Sequence, residues 1–339
     1  MKILFCSHLF APGIGGTETV GALLAAEFVR AGHEVQVVTP VPGPAAAADG
    51  ESYAIHRRPP IGTFLRLLRA CDVCFHNGIS LRAAWPLLGI RRPWVVVHHI
   101  WLTRPDGSLG WQDRLKRRVL RHARQIAVSR ALAAALPGPA EVIPNPYRED
   151  LFRELPGVPR NRDLMFLGRL VSDKGADLLL AALALLRPRG LRPALTLTGD
   201  GPERAALGAE VARLGLGAQV EFTGALAGPA LVERLNRHRV LVVPSRWAEP
   251  FGVVVLEGLA CGCAVVGSAS GGLPEAIGPC GVTFPNGDAA ALAARLEEVL
   301  AAPERTRAWR AAAPAHLAAH RPAAVAQRYL HVFESARPR

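Results

Sequence analysis

The chain has 339 residues, half of them hydrophobic and one fifth charged, and a net charge of +12 in which 37 Arg and 3 Lys face 28 Asp and Glu. Such a length suggests two domains of ~150 residues, and the composition excludes a disordered chain, which needs low hydrophobicity and high charge. The longest apolar run, 178–186, is far short of the ~20 residues of a membrane span, and MKILFCSHLF at the start lacks the length and cleavage pattern of a secretion signal, so the expected location is the cytoplasm.

The first forty residues read as strand, loop, helix, strand. Residues 3–6 are a short apolar strand, and FAPGIGGTE is a glycine-rich loop. Over 19–31, Val20, Leu23, Leu24 and Phe28 recur at helical spacing, and Gly32 is a stop signal. Residues 35–39 form the second strand, and the intervening helix implies a parallel pair. AAAA before Asp49 predicts a loop tip. Residues 71–75, 94–98 and 125–128 are further strands, nearly all apolar, as in a sheet covered on both faces. WQDRLKRRVLRHARQ (111–125) reads as a basic helix with Leu115, Val119 and Ala123 on one side and Arg114, Lys116, Arg117, Arg118 and Arg121 elsewhere.

Four prolines and many charges in IPNPYREDLFRELPGVPRNRD have the character of a linker. A second series follows, with strands at 164–167, 194–198, 220–223, 240–243 and 264–267 and helices at 175–186, 203–214 and 251–260. The expected organisation is an N-terminal Rossmann-like acceptor domain over 1–155 and a C-terminal nucleotide-sugar domain over 156–315. A tail of short helices over 316–339 would pack back on the first domain. In such α/β sheets ligands bind at the carboxyl ends of strands, so the cleft between domains is the default site.

Four loops could carry chemistry. GIGGTE (13–18) supplies the first two glycines of a dinucleotide fingerprint, but Glu18 stands where the third belongs. What remains is either a connector or a loop whose backbone can approach a phosphate at a helix N-terminus. GRLVSDKG (168–175) places Arg169 and Lys174 between a strand and a helix, as a diphosphate clamp or a solvated basic loop. GDGP (199–202) is an ordinary turn in which proline opens a helix. In PSRWAEPFGVVVLEGLACGCAVVGSASGGLPEAI (244–277), a helix starting near Phe251 would leave the N–H groups of Phe251, Gly252 and Val253 free for an anion. Glu249 would lie just before it and Glu257 within it. An acid beside an anion site suits a sugar nucleotide; the alternative is two unrelated surface glutamates. Of six cysteines, Cys71 and Cys74 form a CxxC and Cys261 and Cys263 a CxC. Zinc would need the two pairs to meet, so small buried thiols in a reducing compartment are expected instead.

In order and spacing, the Gly-Gly loop, GHEV (32–35), GRLVSDKG, GDGP, VEFTG (220–224), EPFGVVVLEGLACGCAVV and GGLPE (271–275) span nearly the whole chain. Together they make it resemble the retaining glycosyltransferases of GT-B fold, family-four (group 1) type. The resemblance implies an α/β architecture of two Rossmann-like parallel-sheet domains facing each other across a cleft. It implies that Gly15 and Gly16 approach the donor phosphates and that Arg169 and Lys174 bind the diphosphate. Glu249 would contact the donor sugar, the amides of Phe251, Gly252 and Val253 would hold sugar or phosphate, Glu257 would bind the ribose, and Leu226 would border the base. A functional histidine would follow a middle strand. His98 and His99 are the candidates, on opposite faces by strand alternation, and strand length counted from Pro93 favours His99. The implied reaction is front-face transfer with retention, in which the departing diphosphate helps deprotonate the acceptor hydroxyl. It needs no cofactor and no metal, and no D-x-D pair is present. UDP is the usual donor base of the family.

The acceptor is less legible. Residues 52–140 carry fifteen Lys or Arg and three Asp or Glu, and four of the six tryptophans, Trp85, Trp94, Trp101 and Trp111. This mixture suits peripheral contact with an anionic membrane or an acidic acceptor; otherwise the arginines are solvated and the tryptophans packed in the core. No nucleic-acid motif accompanies the charge. Two alternatives stand beside the transferase. A nicotinamide-dependent oxidoreductase would retain NAD. A non-catalytic nucleotide-sugar-binding protein would be indifferent to loss of Glu249.

Overall fold

Short apolar strands joined by helices bury themselves only by lying side by side under those helices. The computed structural model, which describes residues 1–13, 15–44, 53–103 and 107–336, shows two such assemblies. Met1–Pro146 and the C-terminal segment from Arg321 form one unit, and Tyr147–His320 form the other. The loop tip expected before Asp49 lies outside the described residues.

The first unit runs β1 (Lys2–Ser7), α1 (Gly16–Arg30), β2 (Glu34–Thr39), β3 (Ala54–Arg57), α2 (Ile61–Ala70), β4 (Val73–Asn77), α3 (Leu81–Ala84), β5 (Trp94–His98), α4 (Trp111–Val119), β6 (Arg124–Ala127), α5 (Arg130–Ala134) and β7 (Ala140–Val142). Its seven strands are parallel in the order β3-β2-β1-β4-β5-β6-β7. The basic helix expected over 111–125 is shorter. It ends at Val119, passes through a 3₁₀ turn at Leu120–His122, and gives way to β6 at Arg124. The physical reason is at the turn: Leu120 is fully buried there, and Arg124 pairs with Val95 in the sheet.

One face of this sheet is aromatic. Phe5 and Phe75 meet edge to face at 4.8 Å between ring centroids. Phe333 of the C-terminal helix (Pro322–Ala336) lies 5.1 Å from Phe75 and 5.3 Å from Phe28 of α1. Tyr329 sits 5.6 Å from Phe75. The last helix therefore completes the core of the first unit.

The second unit runs β8 (Arg162–Leu167), α6 (Ala176–Leu186), β9 (Leu195–Thr198), α7 (Arg204–Arg213), β10 (Val220–Gly224), α8 (Gly228–Asn236), β11 (His238–Val243), α9 (Val253–Ala260), β12 (Ala264–Ser268), α10 (Leu273–Ile277), β13 (Gly281–Phe284), α11 (Ala289–Ala301) and α12 (Pro303–Ala318). Its six strands are parallel in the order β10-β9-β8-β11-β12-β13. Leu164, Phe166, Leu179, Leu183, Leu197, Val242 and Leu292 belong to one buried cluster. The boundary expected at 155/156 falls instead at 146/147. Asn236 explains the shift: its side chain accepts from Leu155 N at 2.8 Å and donates to Arg153 O at 3.0 Å, so this stretch is bound to the second unit. Residues 316–320 also stay there, where Tyr147 N donates to His320 O at 3.3 Å. The expected tail of short helices is the last residues of α12 followed by one long helix, Pro322–Ala336.

Tyr329 is fully buried, and its hydroxyl has no partner among the described residues. An unmade buried hydrogen bond costs about 1–3 kcal/mol. Tyr329→Phe is therefore expected to stabilise the first unit by about 1 kcal/mol, whereas Phe333→Ala should cost about 3–5 kcal/mol. Urea unfolding of both variants checks this; a destabilised Tyr329→Phe variant would refute the account of that hydroxyl.

Candidate functional site

In the second sheet the chain moves from β8 to β9 on one side and returns to β11 on the other. Ligands of open parallel sheets bind at such a switch point, beyond the carboxyl ends of the strands. The loop after β8 holds Arg169 and Lys174, and the loop after β11 holds Glu249. The two loops meet: Lys174 Nζ lies 2.5 Å from Glu249 Oε1, and Ser245 Oγ donates to the same oxygen at 2.9 Å. The side chains of Lys174 and Glu249 keep 29% and 14% of their exposure, so the pair is partly desolvated and still reachable.

Several bonds fix the Glu249 loop. Arg246 N and Trp247 N donate to Asp173 O at 2.8 and 3.2 Å. Arg246 Nη1 donates to both carboxylate oxygens of Asp177, at 2.6 and 2.7 Å. Ser268 Oγ donates to Ser245 O at 2.8 Å, and Gly272 N to Glu249 O at 2.7 Å. Gly252 then caps α9 with φ of 102°, and a Cβ there would lie 2.6 Å from Leu273 Cδ2. The positive φ favours glycine, and a Cβ would also force Leu273 to shift. The helix expected from Phe251 thus begins at Val253. Phe251 stays outside it because its ring is buried, 5.6 Å from that of His320. The amides of Phe251, Gly252 and Val253 still lie at the N-terminal end of α9, where the first N–H groups lack intrahelical partners.

The remaining predicted groups differ in setting. Arg169 is exposed and has no ion pair among the described residues, so it is the uncommitted cation of its loop. Glu257 lies within α9, and burial raises its carboxyl to about 7. Leu226 is half-buried in the loop after β10.

In the first sheet the order reverses between β1 and β4. Gly15 precedes α1 and Gly16 begins it. Space around Gly16 is open, whereas the Glu18 carboxylate folds against Gly15. The acid that breaks the dinucleotide fingerprint therefore also covers one of the two glycines. His98 ends β5, and both His98 and His99 are buried. His99 Nε2 lies 2.7 Å from Asn77 Oδ1, and Asn77 Nδ2 donates to Ser7 Oγ at 3.0 Å. Burial holds His99 at about 4, with His98 adding to the shift and an Asn145 hydrogen bond opposing it. Burial likewise holds His98 at about 4 against Gln125. Both rings are neutral at pH 7. Asn77, Ser7, Asn145 and Ser245 were not read from the sequence. Asn77 and Ser7 carried a signal, each being a polar residue closing an otherwise apolar strand.

Comparison with known proteins decides the family. Residues 148–316 match Glycosyl transferases group 1, and residues 14–151 match Glycosyltransferase Family 4. The chain belongs to the group 1 glycosyltransferases. It is 33% identical over 173 residues to a GDP-mannose-dependent alpha-(1-6)-phosphatidylinositol monomannoside mannosyltransferase of Mycolicibacterium smegmatis, covering 49% of this chain and 45% of the relative. It is 34% identical over 199 residues to the 2-deoxystreptamine N-acetyl-D-glucosaminyltransferase of Streptomyces fradiae, covering 56% of this chain and 47% of the relative. The chain thus spans about half the length of these curated relatives. The Anabaena protein HepE, solved with UDP, superposes with a TM-score of 0.80 at 22% identity over 99% of this chain and 100% of its own. That likeness shows the GT-B fold.

All six cysteines of this glycosyltransferase are buried and unpaired. Cys71 Sγ donates to Leu68 O at 3.2 Å and Cys263 Sγ to Leu235 O at 3.3 Å. Among the described residues, one group has the spacing to hold a metal ion: Cys6, Cys74 and His76, with ligand atoms within 4.8 Å of one another. It draws on only one member of the CxxC motif.

The buried titratable groups of the glycosyltransferase make its stability depend on pH. His98, His99 and His238 all sit near 4 in the folded chain, against 6.5 when free. Their contribution is intact above 6.5 and is lost as pH falls, because the unfolded chain takes up protons that the folded chain refuses. Glu257, raised from 4.5 to about 7, acts in the opposite sense. Between pH 6.5 and 4.5 the balance is about two protons in favour of unfolding, or about 2–3 kcal/mol per pH unit. Urea unfolding across this window should show that slope, and Glu257→Gln should steepen it by about one proton; a flat profile would contradict the burial of these rings.

Proposed function

We propose that this glycosyltransferase moves a sugar, with retention, from a nucleoside-diphosphate sugar to an acceptor hydroxyl by metal-independent front-face transfer. UDP is the favoured donor base. The observation that carries the reading is the Lys174–Glu249 pair at the switch point beside the uncommitted Arg169. A diphosphate arriving there draws Lys174 from Glu249 and joins it with Arg169, two cations for the charge that grows on the leaving group. Glu249, released, accepts hydrogen bonds from the hydroxyls of the donor sugar. Neither glutamate suits a covalent route. Glu249 is held by Lys174 and Ser245, and Glu257 is half-protonated near neutrality, which fits a hydrogen bond to a ribose hydroxyl better than attack. The α9 amides and Gly16 serve the phosphates or sugar, and Leu226 borders the base. His99, neutral and fixed by Asn77, orients a substrate hydroxyl. The fold likeness to HepE, solved with UDP, supports the choice of base.

A thermal-shift panel of UDP, GDP, dTDP, ADP and NAD, with and without EDTA, tests this. One nucleoside diphosphate at ~100 times its dissociation constant should add roughly 2.7 kcal/mol, regardless of EDTA. A response to NAD alone, or one abolished by EDTA, would overturn the reading. Lys174→Ala should weaken diphosphate binding by about tenfold or more. Glu249→Gln should leave it unchanged or tighten it, because Glu249 competes for Lys174, while transfer falls by roughly 10²-fold. Equal loss of nucleotide binding in both variants would remove Glu249 from its sugar role, full turnover by Glu249→Gln would remove it from the reaction, and nucleotide-sugar binding by the unaltered protein without any turnover would point to a binding protein.

We also propose peripheral contact with an anionic membrane on the cytoplasmic side, a setting supported by the six unpaired thiols. No helix among the described residues is long and apolar enough to cross a membrane. The tryptophans divide. Trp94 is buried, whereas Trp85 and Trp111 are 55% and 73% exposed. Leu115, one turn beyond Trp111 on α4, is 41% exposed, so the apolar side expected of this helix turns partly outward beside exposed Arg114 and Arg118. Arg117 is occupied by Ala135 O at 3.3 Å. Reversing the charge of Arg114, Arg118 and Arg121 should reduce co-sedimentation with phosphatidylglycerol vesicles; absence of binding by the unaltered protein would end this proposal.

A further inference from the structure

A cavity of about 250 Å³ opens within the first unit, beyond the carboxyl ends of β1, β2 and β4, at the point where the strand order reverses. A cavity of about 150 Å³ takes a benzene ring. This one therefore has room for a single six-membered ring with substituents. Val38, Phe64 and Ala83 give it an apolar floor. Ser7 lines its wall and receives the Asn77 hydrogen bond, and Asn77 holds His99. The cavity is thus two hydrogen bonds from the imidazole.

Its charges all have one sign. Arg58 and Arg82 line it, both exposed, and among the described residues no carboxylate does. Arg82 has no ion pair among the described residues. Arg58 Nε donates to Pro40 O at 2.8 Å, which anchors one edge of the guanidinium and leaves the terminal nitrogens uncommitted. Neighbouring Arg57 is different: it spends all three nitrogens on the carbonyls of Pro44, Val41 and Ala11. Arg58 also has a φ of 49°, the one positive value at a non-glycine among the described residues. Such a backbone is costly for a side chain of this size and persists only where its surroundings impose it.

We propose that Arg58 and Arg82 select the acceptor, which is a single ring bearing one phosphate or carboxylate. The ring lies on the apolar floor, and the anion is held between the guanidiniums, whose planar forks suit such groups. This rests on the transferase reading and adds the charge and size of the acceptor. The relatives differ in sign, since several are named for phosphate-bearing inositols and one for a diamine, 2-deoxystreptamine. A cationic ring would meet two guanidiniums and, among the described residues, no counter-charge.

Calorimetry with rings of one size and different charge tests the proposal: myo-inositol 1-phosphate and glucuronate, neutral myo-inositol, and 2-deoxystreptamine. At least one anionic ring should bind about tenfold or more tightly than the neutral and cationic rings. Arg58→Ala and Arg82→Ala should each weaken that binding about tenfold, while Arg213→Ala, on α7 of the second unit, does not. An unchanged urea-unfolding profile of each variant reports that its fold is intact. Failure of both anionic rings to bind, equal or tighter binding of myo-inositol or 2-deoxystreptamine, or indifference to both substitutions would overturn the proposal. The two readings fail separately. Nucleotide binding without anionic-ring binding removes only this inference, and anionic-ring binding without any nucleotide response removes the transferase reading.

Discussion

Every strand in both sheets runs parallel to its neighbours, so within each sheet all carboxyl ends lie along one edge. Helices cover the faces, and the strand order reverses once in each sheet. At that reversal the two flanking loops diverge to opposite faces and leave space between them. In the second unit this brings Lys174 and Glu249 together across 75 residues of sequence. In the first it brings Ser7, Asn77 and His99 into one hydrogen-bonded chain beside the Arg58 and Arg82 cavity. The parallel arrangement is the constraint, and the sites are what it leaves at the edge.

The electrostatics of the two units differ accordingly. The second unit stores its charges as a pair. Lys174 and Glu249 neutralise one another in a partly desolvated position, so the resting protein carries little net charge there, and an anionic ligand has to exchange partners. Arg169 remains outside the pair to attract it. The first unit keeps neutral imidazoles inside and unpaired guanidiniums at the rim of its cavity. Burial drives both patterns, because an isolated buried charge is costly unless paired.

The C-terminal helix carries a different burden. Phe5 and Phe75 project from β1 and β4 towards α1, and Phe333 and Tyr329 close over them. The rings are about 5 Å apart, the range in which edge-to-face packing adds to area burial. The strands that carry Cys6, Ser7, His76 and Asn77 on to the cavity and the His99 chain are held by a helix that the chain reaches only at residue 322.

Much was legible from the sequence, and the limits have physical causes. The central strands could be read because burial on both faces demands nearly unbroken apolar runs, as in WVVVH and AVVGS. The edge strands β3 (AIHR), β7 (AEV) and β13 (GVTF) were missed because each has one neighbour and a half-exposed pattern. Arg169, Lys174, Glu249 and His99 were nameable from their loops and the order of motifs. That Lys174 and Glu249 form one pair, that Glu18 covers Gly15, and that Asn77 holds His99 were not. Local spacing reports which face of an element a residue occupies, but not which distant loop it meets. The sequence by itself determined two parallel α/β units, the family and the loops that carry the chemistry, because periodicity and motif order are local properties of the chain. Only the tertiary structure decided which of those residues are partners, which cations are free, and that the last helix completes the first core, because these depend on distances between groups that the chain keeps far apart.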